Sequence, residues 1–415
     1  MTEKLKNIGK LHGDRVIWLL ILFFAMISMA VVYSATSSLA FRKDTTPFSY
    51  LMDQAGYYIL GFIVLLVCYR IPMRAYRFLS YAAMGAAVAL LIVPIATHQL
   101  RSFSLLGIPV HPSEIAKVAV VLYLARIIES SDLSTFKEYA LKILLPVGAV
   151  CALTMFGSMS AALIIGTLTL IILLCSGIRP RFILWTVPIA VGVVAAAFSA
   201  SVITKGKVFP RFDTFGERIE RHFSADEAEE MSAAELAEYE EKTFQADQAR
   251  EAVQLGGIFG RGPGNSIKRD ILPNAYDDYI YAVIIEEYGL IGGLAVIILY
   301  LWFFYRCMKI ARACTRKFSI IVVLGLSTLI TMQAFLHIFV NIGILPVTGQ
   351  TLPMISRGGT ALIIMNCAFG IILSVNRTIE IKDLKLKAEK EETTCSTESS
   401  SAEEAREATS FPHSR

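Results

Sequence analysis

The residues of this sequence that could do chemistry collect in four stretches. His111, Pro112, Ser113, Glu114 and Lys117 open an apolar run. Glu114 and Lys117 stand three apart, so on a helix they can pair, with the carboxylate near the positive end of the helix dipole. That spacing suits a self-neutralising structural pair and a functional one equally. Asp277 and Asp278 precede a second apolar run that holds Glu286 and Glu287. Adjacent carboxylates repel, which makes one of them a better proton acceptor; two solvated loop carboxylates are the plainer alternative. On one continuous helix Glu286 would lie about 12 Å from Asp278, with Glu287 on roughly the opposite face, so neither could touch it.

The other two stretches are rich in glycine. GGIFGRGPG, from Gly256 to Gly264, has the density of a phosphate-binding loop but no GK[ST] after it. Close packing or positive φ is the expected use, with pyrophosphate contact as the alternative. NIGILPVTGQTLPMISRGGTAL, from Asn341 to Leu362, with two prolines and Arg357, is expected to be a re-entrant lining, because irregular backbone at membrane depth survives only when buried in protein or facing a cavity.

Lipid is the solvent these stretches imply. Of 415 residues 55% are hydrophobic and 18% charged, less charge than a water-soluble chain of this size carries. The apolar blocks are about 20 residues long, enough to cross a hydrocarbon core of roughly 30 Å as helices. An all-α integral membrane protein is expected, a helical bundle of about ten transmembrane helices. The spans fall near 16–37, 54–70, 77–97, 113–128, 139–156, 159–176, 181–203, 279–305, 318–342 and 358–376. The first block is too long for a signal-peptide core and reads as a retained span.

Arginine and lysine clusters at Arg70, Arg74 and Arg77, at Arg179 and Arg181, and from Arg306 to Lys317 fall on the side of the N-terminal lysines. The positive-inside rule places both termini in the cytoplasm. Residues 1–13 are then a cytoplasmic segment, 14–377 the transmembrane domain with a large extracytoplasmic loop at 204–278 between the seventh and eighth helices, and 378–415 a polar tail expected to be disordered. Connections 98–112 and 343–357 also face outside. Within the large loop, residues 224–243 are acidic and alanine-rich, as a solvated surface helix would be. With a net charge of +4 and no basic stripe, nucleic acid is not an expected partner. The seven cysteines lack zinc-ligand spacing and read as free thiols.

Taken in order, HPSEIAK (111–117), GGIFGRGPGNS (256–266), LPNAYDDYIYAVIIEEYG (272–289) and NIGILPVTGQTLPMISRGG (341–359) resemble the SEDS family of polytopic enzymes that polymerise lipid II, over roughly residues 14–377. The GRGPGNS–LP–DYIYA combination is more similar to the division branch than to the elongation branch. The resemblance implies a peptidoglycan glycosyltransferase in the cytoplasmic (inner) membrane of a bacterium, at the division septum. Its partners would be lipid II, the nascent lipid-linked glycan, membrane lipid, a class B penicillin-binding protein and other division proteins. A lipid II flippase and a non-catalytic division scaffold are the competing readings.

The family's essential aspartate falls on Asp278, as general base, with Asp277 where threonine is usual. Glu114 and Lys117 match a functionally important pair. By the same resemblance, Arg101, Lys117, Arg211, Arg218 and Arg357 are candidates to hold the pyrophosphate, and a divalent cation, Mg2+ or Mn2+, is the implied cofactor. The chain departs from the pattern at FGSMSAA (156–162), where an aspartate is usual, at Ser102 for tryptophan, and at Arg357 for tyrosine.

Overall fold

The computed structural model describes residues 13–42, 44–97, 103–105, 108–203, 216, 218, 233–272 and 275–409. Its long helices are α1 (Arg15–Ala35), α2 (Pro47–Arg70), α3 (Met73–Ala96), α4 (Pro112–Ser130), α5 (Phe136–Gly157), α6 (Met159–Cys175), α7 (Pro180–Ile203), α8 (Ala233–Gly256), α9 (Ile280–Ala313), α10 (Lys317–Asn341) and α11 (Thr360–Thr409). Seven of them are long and apolar enough to cross a membrane, and α6 and α7 are shorter apolar helices. With α4, whose four charged residues lower its hydropathy, they make the expected ten spans. The chain is a multi-pass helical membrane protein.

Local chemistry sets the helix limits. Asp14 caps α1 by accepting from Val16 N at 2.8 Å, and Pro47 and Pro112 open α2 and α4, where a missing N–H costs nothing. Ser158 ends α5 and caps α6 through Ala161 N at 3.3 Å. Inside α5, Pro146 has no N–H for the carbonyl of Lys142; the helix widens into a π turn at Ala140–Leu144, and the Tyr123 hydroxyl of α4 donates to Lys142 O at 2.8 Å.

Three elements differ from the sequence reading. The connection between α3 and α4 holds two short antiparallel strands, β1 (Phe103–Leu105) and β2 (Ile108–Val110), with Phe103 opposite Val110. The described part of the acidic insert is helical and extends beyond it: α8 runs from Ala233 to Gly256 and buries Ala249 and Ala252. Finally, α11 continues as helix to Thr409, where disorder is expected. Its Glu-, Ser- and Thr-rich continuation needs no new nucleus, because the last span supplies one.

The α-helical bundle is held by close crossings. Gly61 of α2 lies against Asn366 of α11, and a Cβ on Gly370 would sit 2.5 Å from Leu65 O. At the arginine-rich end, Arg306 donates to Asp14 at 2.9 Å and Gly13 N to Glu380 at 2.6 Å, so the start of α1, the later part of α9 and the Glu380 turn of α11 share one side. Asp277 and Asp278 lie at the opposite end, just before α9.

The glycine stretch 256–264 closes on α9 and shows what its glycines are for. α9 breaks at Gly289 (φ 70°, ψ −171°), a backbone state open essentially to glycine alone. Arg261 N and Gly262 N donate to Glu286 O and Glu287 O, both at 2.9 Å, and Leu290 N donates to Gly257 O at 2.9 Å. The N–H groups a phosphate loop would aim at an anion are thus spent on the interrupted helix. A Cβ on Gly256, Gly260 or Gly289 would come within 2.3 Å of a backbone oxygen.

Glu286 and Glu287 belong to the same clasp rather than to a catalytic cluster. Glu286 accepts from Ile267 N at 2.8 Å and from the Ser266 hydroxyl. Glu287 accepts from the Ser34 hydroxyl, with Arg269 3.7 Å away. Gly289→Ala is expected to destabilise the fold by about 3 kcal/mol or more, through strain and overlap together. Thermal unfolding in detergent checks this, with Gly56→Ala, which meets nothing within 4 Å, as the control.

Candidate active site

The segment between α10 and α11 runs without regular structure through the protein interior, with Leu352, Met354 and Ile355 buried. Buried carbonyls must be paired. The spans supply side chains one by one. His337 Nδ1 donates to Gln350 O at 2.7 Å, Gln333 Nε2 to Thr351 O at 3.4 Å, and Ser28 Oγ to Ile355 O at 2.8 Å. The hydroxyls of Tyr300 and Tyr58 take Pro353 O and Met354 O. Met354 itself has φ 65°, rare for a side chain of its size.

This segment holds the turn that carries Asp277 and Asp278. Ser356 Oγ donates to Asp277 O at 2.8 Å, Asn341 Nδ2 donates to Asp278 O at 3.1 Å, and Arg357 N donates to Tyr276 O at 3.1 Å. Asn341 also accepts from Ala282 N at 3.0 Å, in the first turn of α9. The carbonyls of residues 276, 277 and 278 are all held, while the Asp278 side chain stays partly exposed. Beside it, the Arg357 guanidinium stacks 4.6 Å from the Tyr50 ring and 5.5 Å from the Tyr276 ring, with Asp53 at 3.5 Å.

Burial pushes the hydroxyls of Tyr276 and Tyr279 up, and the Asp278 charge adds to the shift in both. Arg357 opposes it at Tyr276. Both phenols therefore stay protonated at neutral pH and can donate but not act as bases, which leaves proton acceptance at this corner to the carboxylates.

Lys117 and Glu114 form the pair the spacing allows, at 2.7 Å, with Lys117 fully buried. Lys117 Nζ also donates to Gln350 at 3.0 Å and Gln333 at 3.2 Å. An ammonium has three donors, and all three are taken. In this arrangement Lys117 fastens α4 to α10 and to the buried segment. The second oxygen of Glu114, and Nε2 of His337, have no hydrogen-bond partner among the described residues.

The remaining predicted residues are more dispersed. Arg218 donates to Val347 O at 3.1 Å, tying the large loop to the segment above Asp278. Arg101 and Arg211 lie outside the described residues. Among the described residues no three His, Cys, Asp or Glu side chains gather as a ready metal cage.

Sequence reasoning missed Gln333, His337, Gln350, Asn341 and Ser356. Gln333, His337 and Asn341 repeat every fourth residue along an otherwise apolar span, a polar stripe that marks a buried partner.

A polytopic helical bundle with a fixed carboxylate turn and an arginine at one end defines a membrane protein built to act on something at one bilayer surface. A family model described as "Cell cycle protein", spanning FtsW, RodA and SpoVE, matches residues 14–380. The chain belongs to this family. It is 30% identical to the probable peptidoglycan glycosyltransferase FtsW of Thioalkalivibrio sulfidiphilus, covering 87% of this chain and 88% of that one. It is 31% identical to the protein of the same name from Geobacter metallireducens, over 88% and 94%.

Among solved structures, a chain of a peptidoglycan synthase complex that coordinates polymerization and crosslinking superposes with a TM-score of 0.68 at 21% identity, over 88% of this chain and 98% of that one. The Thermus thermophilus rod shape determining protein RodA gives 0.60 at 20% identity, over 88% and 97%.

Lys117→Met should leave Glu114 buried without a counter-charge and cost about 3–5 kcal/mol. Adding Glu114→Gln should recover part of that loss, so the double variant is more stable than the sum of the single changes predicts. A thermal-unfolding double-mutant cycle in detergent measures it.

Proposed function

We propose that this chain is a peptidoglycan glycosyltransferase that polymerises lipid II at the outer face of the cytoplasmic membrane, in septal wall synthesis, with Asp278 as general base. The observation that carries the residue assignment is the fixation of the Asp277–Asp278 turn by Ser356, Asn341 and Arg357. Chemistry that depends on a positioned base needs that rigidity.

In the reaction, the 4-hydroxyl oxygen of the acceptor sugar attacks the anomeric carbon of the lipid-linked donor. Its proton passes to Asp278, and the bond to the pyrophosphate oxygen breaks with its electron pair on the leaving group. Arg357, with its fork of donors beside the turn, is placed to take up that charge. The Tyr50 and Tyr276 rings hold the guanidinium in place without consuming its donors.

A divalent cation suits the same corner. Mg2+ is commonly held by one or two carboxylates together with substrate phosphates, and Asp277 and Asp278 would supply the carboxylates. When bound, such an ion adds charge stabilisation to the departing pyrophosphate.

The orientation follows from the arginine-rich end, which holds the first residue of α1 and the intracellular turns; placed in the cytoplasm, it puts the Asp278 turn outside and both termini inside. The structural likeness to a synthase-complex chain supports a crosslinking partner, a class B penicillin-binding protein, for this chain too.

Polymerisation of purified lipid II by the full chain with its partner and Mg2+ tests the reading. Asp278→Ala should lower the rate by about 100-fold or more, the usual contribution of a general base, with thermal unfolding unchanged. Arg357→Lys keeps the charge but loses the fork, and should lower kcat/KM by about tenfold. Equal polymer from wild type and Asp278→Ala would remove Asp278 as the base.

A further inference from the structure

Where α1 crosses α2, the bundle surface carries a groove of about 530 Å3 lined by Ala25, Met26, Met29, Ala30 and Tyr33 of α1 and Leu51 of α2. From Ala25 to Tyr33 it runs about 12 Å along α1, most of the depth of one leaflet in a core of roughly 30 Å. It rises toward the end that holds Asp278, because α1 ends and α2 begins there.

The groove is joined to the site by bonds already described. Below its mouth, Gln54 Nε2 of α2 donates to Ser28 Oγ of α1 at 2.9 Å, and Ser28 Oγ donates to Ile355 O at 2.8 Å, two residues before Arg357. On α2, the residues flanking Leu51 on its turn are the ones that meet the guanidinium, Tyr50 at 4.6 Å and Asp53 at 3.5 Å. The groove mouth and the cation thus share one turn of one helix. An apolar trough one leaflet deep whose upper end shares the first turn of α2 with the contacts of a fixed arginine has the polarity of a lipid whose anionic head crosses that turn, and Arg357 leads on to the turn of the catalytic carboxylate through Tyr276.

We propose that this groove seats the first isoprenoid units of the donor, a polyprenyl chain whose pyrophosphate lies on Arg357. The inference rests on the glycosyltransferase reading and adds to it the path by which one lipid tail stays in the bilayer while its head reaches Asp278. The charge at the mouth selects the occupant, since a neutral lipid tail would gain nothing from it.

The first test needs no turnover. A polyprenyl pyrophosphate bearing a diazirine on an isoprenoid unit next to the head is irradiated with the full-length protein in phosphatidylethanolamine–phosphatidylglycerol nanodiscs. Label on residues 25–33 or on Leu51, displaced by unlabelled undecaprenyl pyrophosphate and not by added phosphatidylglycerol, is the expected result. Label elsewhere overturns the proposal, and so does displacement by phosphatidylglycerol, which would make the groove an ordinary annular lipid position.

The second test fills the groove. Ala30 is exposed to lipid, so Ala30→Trp adds bulk there without touching the core. It should raise KM about tenfold, what two lost methylene contacts amount to, for long-chain lipid II and for a ten-carbon analogue alike, since both carry the first isoprenoid units, whereas Leu19→Trp, exposed on α1 outside the groove, should leave both unchanged. An equal effect of the two tryptophans, or none from Ala30→Trp, overturns the proposal. The two ideas fail separately: absent polymerisation with competed groove labelling removes the glycosyl-transfer reading alone, and polymerisation with label elsewhere removes the groove alone.

Discussion

Hydrocarbon offers no hydrogen bonds, so a stretch of chain that is not helical can exist inside this bundle only if every carbonyl on it is met by protein. The segment from Gln350 to Arg357 is such a stretch, and the rest of the structure is arranged around that demand. Side chains from α1, α2, α9 and α10 each reach one of its oxygens. The segment therefore behaves as a keystone: it cannot shift without stranding buried polar groups at a cost of about 1–3 kcal/mol each. Rigidity of the Asp277–Asp278 turn follows from it, because Ser356 and Arg357 in turn hold the carbonyls of Asp277 and Tyr276.

The same constraint explains the second irregularity. α9 must stop being helical at Gly289, and the glycine stretch 256–264 supplies what the break leaves unmet. Helix, break and loop form one clasp, which sets the height at which α9 begins and so the height of Asp278. The two irregular elements meet at Asn341. Its side chain bonds Asp278 O and Ala282 N, one belonging to the turn and the other to the first helical turn of α9. Lys117, paired with Glu114, completes the frame from α4 by bonding Gln350 and Gln333, so the buried charge serves to register three elements against each other.

Much of this was legible in the sequence, for definite reasons. The ten spans appear because apolar blocks of membrane length leave little choice, and Glu114 with Lys117 because a charged pair in such a block must find itself. What stayed hidden depends on partners distant in sequence. Tyr58 and Tyr300 look like ordinary span residues until a carbonyl from residues 353–354 is put beside them. Glu286 and Glu287 look like chemistry because their loop partners lie some twenty residues upstream or on α1. Helical spacing placed Glu286 and Glu287 clear of Asp278, but nothing in the spacing says which backbone amides they cap. The β1–β2 pair lies in a stretch of mixed composition too short for alternation to show.

Two of the four points at which the sequence departs from the pattern it resembles meet in the structure. Asp277, in place of threonine, and Arg357, in place of tyrosine, both act on Tyr276: the first raises and the second lowers the cost of ionising its hydroxyl. An acid and a base have been added at one corner, so the local charge stays balanced while its distribution changes. The guanidinium also replaces the aromatic ring in kind, since its flat face stacks on Tyr50 and Tyr276 as a ring would. A residue that packs like tyrosine but carries a positive fork adds a cation beside Tyr276, two residues from Asp278, without disturbing the keystone segment. Such an addition suits the proposed pyrophosphate leaving group, and on that reading Arg357 is the residue through which this chain would hold it.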